Sequence, residues 1–97
     1  MKVNISSLHF KTDKKLDDFI TNKVKKLKQF QNEIVNGNVV LKLDKDTNHE
    51  NKVAEIRLDV PGGDFYAKKQ SKSFEEATDL AIDALKKQLI KHKEKLK

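Results

Sequence analysis

The chain contains no cysteine, no tryptophan, one proline and three glycines. Without cysteine there is no disulfide framework and no thiolate metal site. No run of about 20 apolar residues exists, so no membrane-spanning segment is expected. The opening Met1-Lys2-Val3-Asn4-Ile5-Ser6 shows no apolar stretch behind its lysine, so no secretory signal is expected and a cytoplasmic setting is. With 97 residues, the chain has room for one core and one domain.

What is abundant is charge. Charged residues make up 37% and the apolar set 36%. Disorder is nevertheless not expected, because the apolar residues are patterned. There are 21 Lys+Arg against 15 Asp+Glu, a formal net charge of +6. Arg57 is the only arginine. Lysine is a flexible point charge, better suited to phosphates than to planar bidentate reading of bases. The charge is also polarised. Lys86 to Lys97 holds six lysines and one acid, whereas Asp44 to Asp64 holds six acids and three bases. A basic end of this kind fits a polyanion, and it equally fits a solvated helix tail.

Val3 and Ile5 alternate with polar neighbours, which predicts a strand over 1–8. Thr12 or Asp13 offers an N-cap for a helix that runs to about Phe30. Leu16, Phe19, Ile20, Val24, Leu27 and Phe30 form its apolar face. Ile34-Val35 and Val39 to Leu43 predict a second strand, bent at Asn36-Gly37-Asn38. A polar turn follows over 46–51. Val53 to Val60 alternates as a third strand. Pro61-Gly62-Gly63-Asp64 is a hairpin turn, and Phe65 to Lys69 returns. Ser73 and Glu76 form a capping box ahead of the last helix. Its buried face should be Phe74, Thr78, Ala81, Ile82, Leu85 and Leu89, with Leu96 at the fraying end. The expectation is an α+β two-layer sandwich of order β-α-β-β-β-α, with two helices side by side on one face of a four-stranded mixed sheet.

Catalytic and metal motifs are missing. His9, His49 and His92 are far apart, no HExxH exists, and flanking lysines at His92 oppose a cation. Gly62-Gly63 follows a proline in a turn and is no phosphate cradle. Acid pairs such as Asp17-Asp18 and Glu75-Glu76 sit in first helical turns, where the dipole explains them. Neither enzymatic activity nor a cofactor, metal or small-molecule substrate is expected.

The lysines carry more information. Lys14, Lys25 and Lys28 point away from the first helix's apolar face. Lys23 falls inside that arc, with Lys26 at its edge, so these two should snorkel along the rim of the groove between the helices. In the last helix Lys87 and Lys91 form one stripe, and Lys86, Lys93 and Lys97 another. Together the stripes predict one broad basic surface. Most aromatic residues fall in core register, which disfavours stacking of single-stranded bases and favours backbone binding to structured RNA.

The element order, the opening Met1-Lys2-Val3-Asn4-Ile5, the helix text Lys23-Val24-Lys25-Lys26-Leu27 and the closing Gln88-Leu89-Ile90-Lys91-His92-Lys93-Glu94-Lys95-Leu96-Lys97 resemble bacterial ribosome hibernation promoting factors. That family includes ribosome-associated inhibitor A (protein Y), and an older name is sigma-54 modulation protein. The resemblance spans the whole chain. It implies a ribosome-inactivating binder in the small-subunit cleft, over the ribosomal RNA (rRNA) of the decoding region, which blocks messenger and transfer RNA in stationary phase. It places RNA-facing basic pairs on Lys23 and Lys26 and on Lys87 and Lys91. Two further positions that are often basic are Gln29 and Ala84 here, with Lys28, Lys86 and Lys93 nearby to compensate. The expected domain is 1–97, without the C-terminal dimerisation domain of long members and without an acidic tail. For a short factor the resemblance also implies a separate ribosome-dimerising partner protein. Two other readings of the residues stay open: a generic double-stranded RNA-binding module, and a protein-interaction module that modulates a sigma factor.

Overall fold

The computed structural model describes residues 1–45 and 49–95, with helical side chains described as far as Lys93. Four strands lie in the order β1 (Lys2–Ser7), β2 (Asn36–Leu43), β3 (Lys52–Val60), β4 (Gly63–Ser71). The β1–β2 pair is parallel and the other two pairs are antiparallel. The helices α1 (Lys14–Lys25) and α2 (Phe74–Lys95) cover one face. This is the mixed α+β sandwich that the alternating and helical periods predict. Part of the turn expected over 46–51, and Leu96, lie outside the described residues.

Register decides which residues meet the helices. Ile5 pairs with Val39, Val39 with Ile56 and Ile56 with Ala67, giving one apolar row across all four strands. Ile20, Val24 and Leu27 press on this face from α1, and Ala77, Ala81, Leu85 and Leu89 from α2. Each buried aliphatic side chain of this size contributes about 1.5–3 kcal/mol relative to exposure.

Local chemistry sets the element ends. Asp13 caps α1, its Oδ1 accepting the Leu16 N–H at 2.8 Å. The helix does not run unchanged to Phe30: residues Lys26–Gln29 wind as a 3-10 segment. Three residues per turn bring Leu27 and Phe30 to the same side, so tightening keeps both on the core edge. The strand expected from Ile34 begins at Asn36 instead, and Asn36-Gly37-Asn38 pair in unbroken register with Leu58 and its neighbours. Gly37 is needed there for space and not for a bend. A β-carbon on it would stand 2.7 Å from Val24 Cγ1. In the β3–β4 hairpin, Gly62 takes φ 87 behind Pro61, the backbone that a proline–glycine turn supplies. At the start of α2, Ser73 Oγ accepts the Glu76 N–H at 3.1 Å, while the Glu76 carboxylate lies 4.0 Å from Lys72 Nζ.

Strand directions fix helix directions. β1, β2 and β4 run one way and β3 the other. Each helix returns along the sheet after β1 or β4, so α1 and α2 are parallel. Contacts between them advance together: Phe10 meets Phe74, Lys23 meets Asp79, and Phe30 meets Lys86. Twenty-two residues make α2 about 33 Å long, against about 18 Å for the twelve of α1. The molecule measures 45 × 24 × 19 Å.

Among the described residues the other sheet face carries no helix, and its side chains are mostly polar. Asn4 donates to Asn38 at 3.1 Å, Asn38 donates to Asp59 at 2.9 Å, and Arg57 pairs with Asp59 at 3.2 Å. Glu55 takes Lys42 Nζ at 2.8 Å and the Tyr66 hydroxyl at 2.5 Å. Both contacts stabilise the ionised carboxylate, Lys42 foremost, and hold its pKa below the ordinary 4.5. The same bond to Glu55 raises the pKa values of Lys42 and Tyr66.

Candidate nucleic-acid interface

Burying Ile20, Val24 and Leu27 leaves Lys23 on the flank of α1 that faces α2. Its side chain is 37% exposed, and its Nζ lies 3.3 Å from Asp79 Oδ1 on α2. The same ammonium sits 5.5 Å from the centroid of the Phe19 ring. This is the snorkelling geometry that the wheel predicts, with one addition: a carboxylate waits at the end. Lys26 opens the 3-10 segment and Lys28 follows in it, and both are exposed.

On α2, Lys86 leans toward α1 and places its Nζ 5.2 Å over the Phe30 ring. Gln88 points to the other flank, donating to the Tyr66 carbonyl on β4 at 2.9 Å. Lys87 lies between these two directions on a 100° wheel, so it points away from the sheet. Lys91 follows one turn later, and both are exposed. Lys93 lines a cavity of about 240 Å³ with Gln29, Phe30, Gln31, Leu89 and His92. His92 sets its ring edge-on to Phe65, centroids 5.3 Å apart. Among the described residues no cluster of His, Asp or Glu could hold a metal ion. No helix among the described residues is long and apolar enough to cross a membrane.

Residues 3–97 match the family described as Sigma 54 modulation protein / S30EA ribosomal protein. The chain belongs to this family. It is 37% identical over 97 residues to a Klebsiella oxytoca protein named ribosome hibernation promoting factor, covering 100% of this chain and 98% of the relative. The protein of that name from Escherichia coli K12 is 36% identical with the same coverage. Among solved structures, the N-terminal domain of Thermus thermophilus protein Y superposes with a TM-score of 0.81 at 24% identity, over 95% of this chain and 99% of that one. A ribosomal subunit interface protein from Coxiella burnetii gives 0.84 at 20% identity, over 96% and 98%. These two likenesses establish the family fold for this chain.

In this family member the two helices do not form a uniformly cationic plate. Asp13, Asp17 and Asp18 lie at the start of α1, and Glu75, Glu76 and Asp79 at the start of α2. Lys11, Lys14 and Lys15 stand among the acids at the start of α1, but lysines clearly outnumber acids only at the other ends, with Lys23, Lys26 and Lys28, then Lys86, Lys87, Lys91 and Lys93. Acids at N-termini and cations at C-termini each suit their own helix dipole. Because the helices are parallel, the two gradients add. The basic surface is therefore one end of the helical layer, with Lys23 at its boundary, held by Asp79.

Sequence reasoning missed Asp79 as a partner of Lys23, although Asp79 and Lys86 lie seven residues apart on one helical stripe. It also assigned most phenylalanines to the core. All five are only partly buried and pack on the core's perimeter, two of them under lysine ammonium groups.

Proposed function

We propose that this domain, residues 1–97, is a non-catalytic ribosome hibernation factor. It binds small-subunit rRNA in the decoding-region cleft and blocks messenger and transfer RNA, which silences idle ribosomes in stationary phase. The relatives that cover the whole chain carry the name ribosome hibernation promoting factor, and this supports the ribosome as partner. The observation that carries the mode of binding is the asymmetry of charge. Lysines stand exposed at the C-terminal ends of two parallel helices, whereas the cations Lys42 and Arg57 of the opposite sheet face are paired with Glu55 and Asp59.

In this reading Lys26, Lys28, Lys86, Lys87, Lys91 and Lys93 neutralise rRNA phosphates, and Lys23 joins them by leaving Asp79. Gln29 and Ala84, where relatives are often basic, leave those two contacts to neighbouring lysines. Neutralising about four to six phosphates gives a slope of log affinity against log salt of about −3 to −5. The folded body then excludes translation ligands by its bulk.

The test is co-sedimentation with small subunits. Lys23→Glu with Lys87→Glu should abolish binding and leave the circular dichroism spectrum unchanged. Unchanged co-sedimentation overturns the lysine face. Equal affinity for any A-form RNA duplex would instead mark a generic double-stranded RNA-binding module.

A further inference from the structure

At the opposite end of the helical layer lies a second concavity. It encloses about 420 Å³ between the starts of α1 and α2, lined by Phe10, Leu16, Phe19 and Phe74, with the exposed Lys11 and Lys15 beside them. The carboxylates of Asp13 and Glu75 also border it. Three of the chain's five phenylalanines line this one open cleft, all of them partly buried.

The backbone is shaped to build it. His9 adopts φ 70, a left-handed conformation that side chains with a β-carbon resist. The turn is locked by Ser7 Oγ, which donates to the Phe10 carbonyl at 2.6 Å. Its result is to lay Phe10 against Phe74, with ring centroids 4.9 Å apart and planes 15° from parallel. Strain kept in place by surrounding bonds points to a segment shaped for contact.

We propose that this cleft receives one unstacked nucleobase of the RNA bound by the lysine end, an assignment that rests on the function proposed above. Phenyl faces stack any base. Lys11 and Lys15 suit the phosphate attached to it. Asp13 spends Oδ1 on the Leu16 N–H, and its second oxygen, like Glu75, can only accept. These carboxylates therefore favour a base that offers an exocyclic amino group, as cytosine and adenine do and uracil does not. Continuity with the lysine end argues for nucleic acid over a peptide. Phe19 lines the cleft and at the same time carries the Lys23 ammonium 5.5 Å from its ring centroid.

The experiment is a nuclear magnetic resonance titration of the full chain with cytidine monophosphate (CMP), uridine monophosphate (UMP) and ribose 5-phosphate. CMP should shift the ring resonances of Phe10, Phe19 and Phe74 upfield and saturably. Ribose 5-phosphate should leave them in place, and UMP should bind several-fold more weakly than CMP. Phe10→Leu and Phe19→Leu, which keep apolar volume but remove the π face, should abolish the CMP response. They should weaken small-subunit binding roughly 5- to 100-fold, as expected for one lost base stack. Rings that ignore CMP, or that respond equally to ribose 5-phosphate, overturn the proposal. This arm uses the unaltered protein and does not depend on how a variant folds. Equal binding of UMP overturns the role given to the carboxylates. Ribosome binding without a CMP response removes the cleft alone. A CMP response without ribosome binding removes the ribosomal reading and leaves the base site.

Discussion

Lys23 and Asp79 meet at 3.3 Å across the two helices, so one cation at the boundary of the basic surface already has an anionic partner. An RNA phosphate that takes this ammonium must displace a carboxylate from it. Both side chains are more than a third exposed, so the pair itself adds little to stability.

Removing the competitor should therefore strengthen binding. Asp79→Asn is expected to raise small-subunit affinity about two- to five-fold at low salt, because Lys23 no longer has to leave a carboxylate, and to leave the salt slope unchanged, because the number of phosphates neutralised is the same. Co-sedimentation over a salt series reads both quantities. An unchanged affinity would show that Lys23 takes no part.

Gly37 and Val24 set how closely α1 approaches the sheet. Because a β-carbon would fall 2.7 Å from Val24 Cγ1, Gly37→Ala should destabilise the fold by about 1–3 kcal/mol, the usual cost of overpacking. Val24→Ala removes the clashing methyl and leaves a cavity of its own. The double variant should be more stable than the sum of the two single losses predicts, and a denaturant-melt cycle measures that coupling. Strict additivity would place the contact elsewhere.

Acid should probe the sheet face. Glu55 has a folded pKa below 4.5, so its ionised form is bound more strongly in the folded state than in the unfolded one. The stability this supplies is present above about pH 4.5 and is lost as pH falls through the folded value. Glu55→Gln should flatten stability against pH in that acid window while leaving small-subunit binding intact. Equal acid sensitivity in both proteins would exclude Glu55 as a source of it.

The element order was legible in the sequence because each element declares its own face through its period. Ile56 and Leu58 alternate with Glu55 and Arg57, and Ile20, Val24 and Leu27 recur at helical spacing. What was not legible involves two elements at once. Gly37 looked like a bend because its reason for being glycine is Val24, a residue on another element. Lys23 could be placed on the groove by its angle, but its partner Asp79 depends on the helices being parallel and on their stagger. The phenylalanines shared the core's period and still stopped at its edge, because a wheel gives direction and not depth. The direction of the lysine stripes could be read residue by residue, whereas their gathering at one end follows from the topology.

That topology has a kinetic consequence. With both rods pointing the same way, positive and negative poles stand at opposite tips of the layer they form. In the field of a distant polyanion such a body experiences a torque and turns lysine-first before any atoms touch. Collisions then begin already aligned, and the gain should fade as added electrolyte shortens the reach of that field.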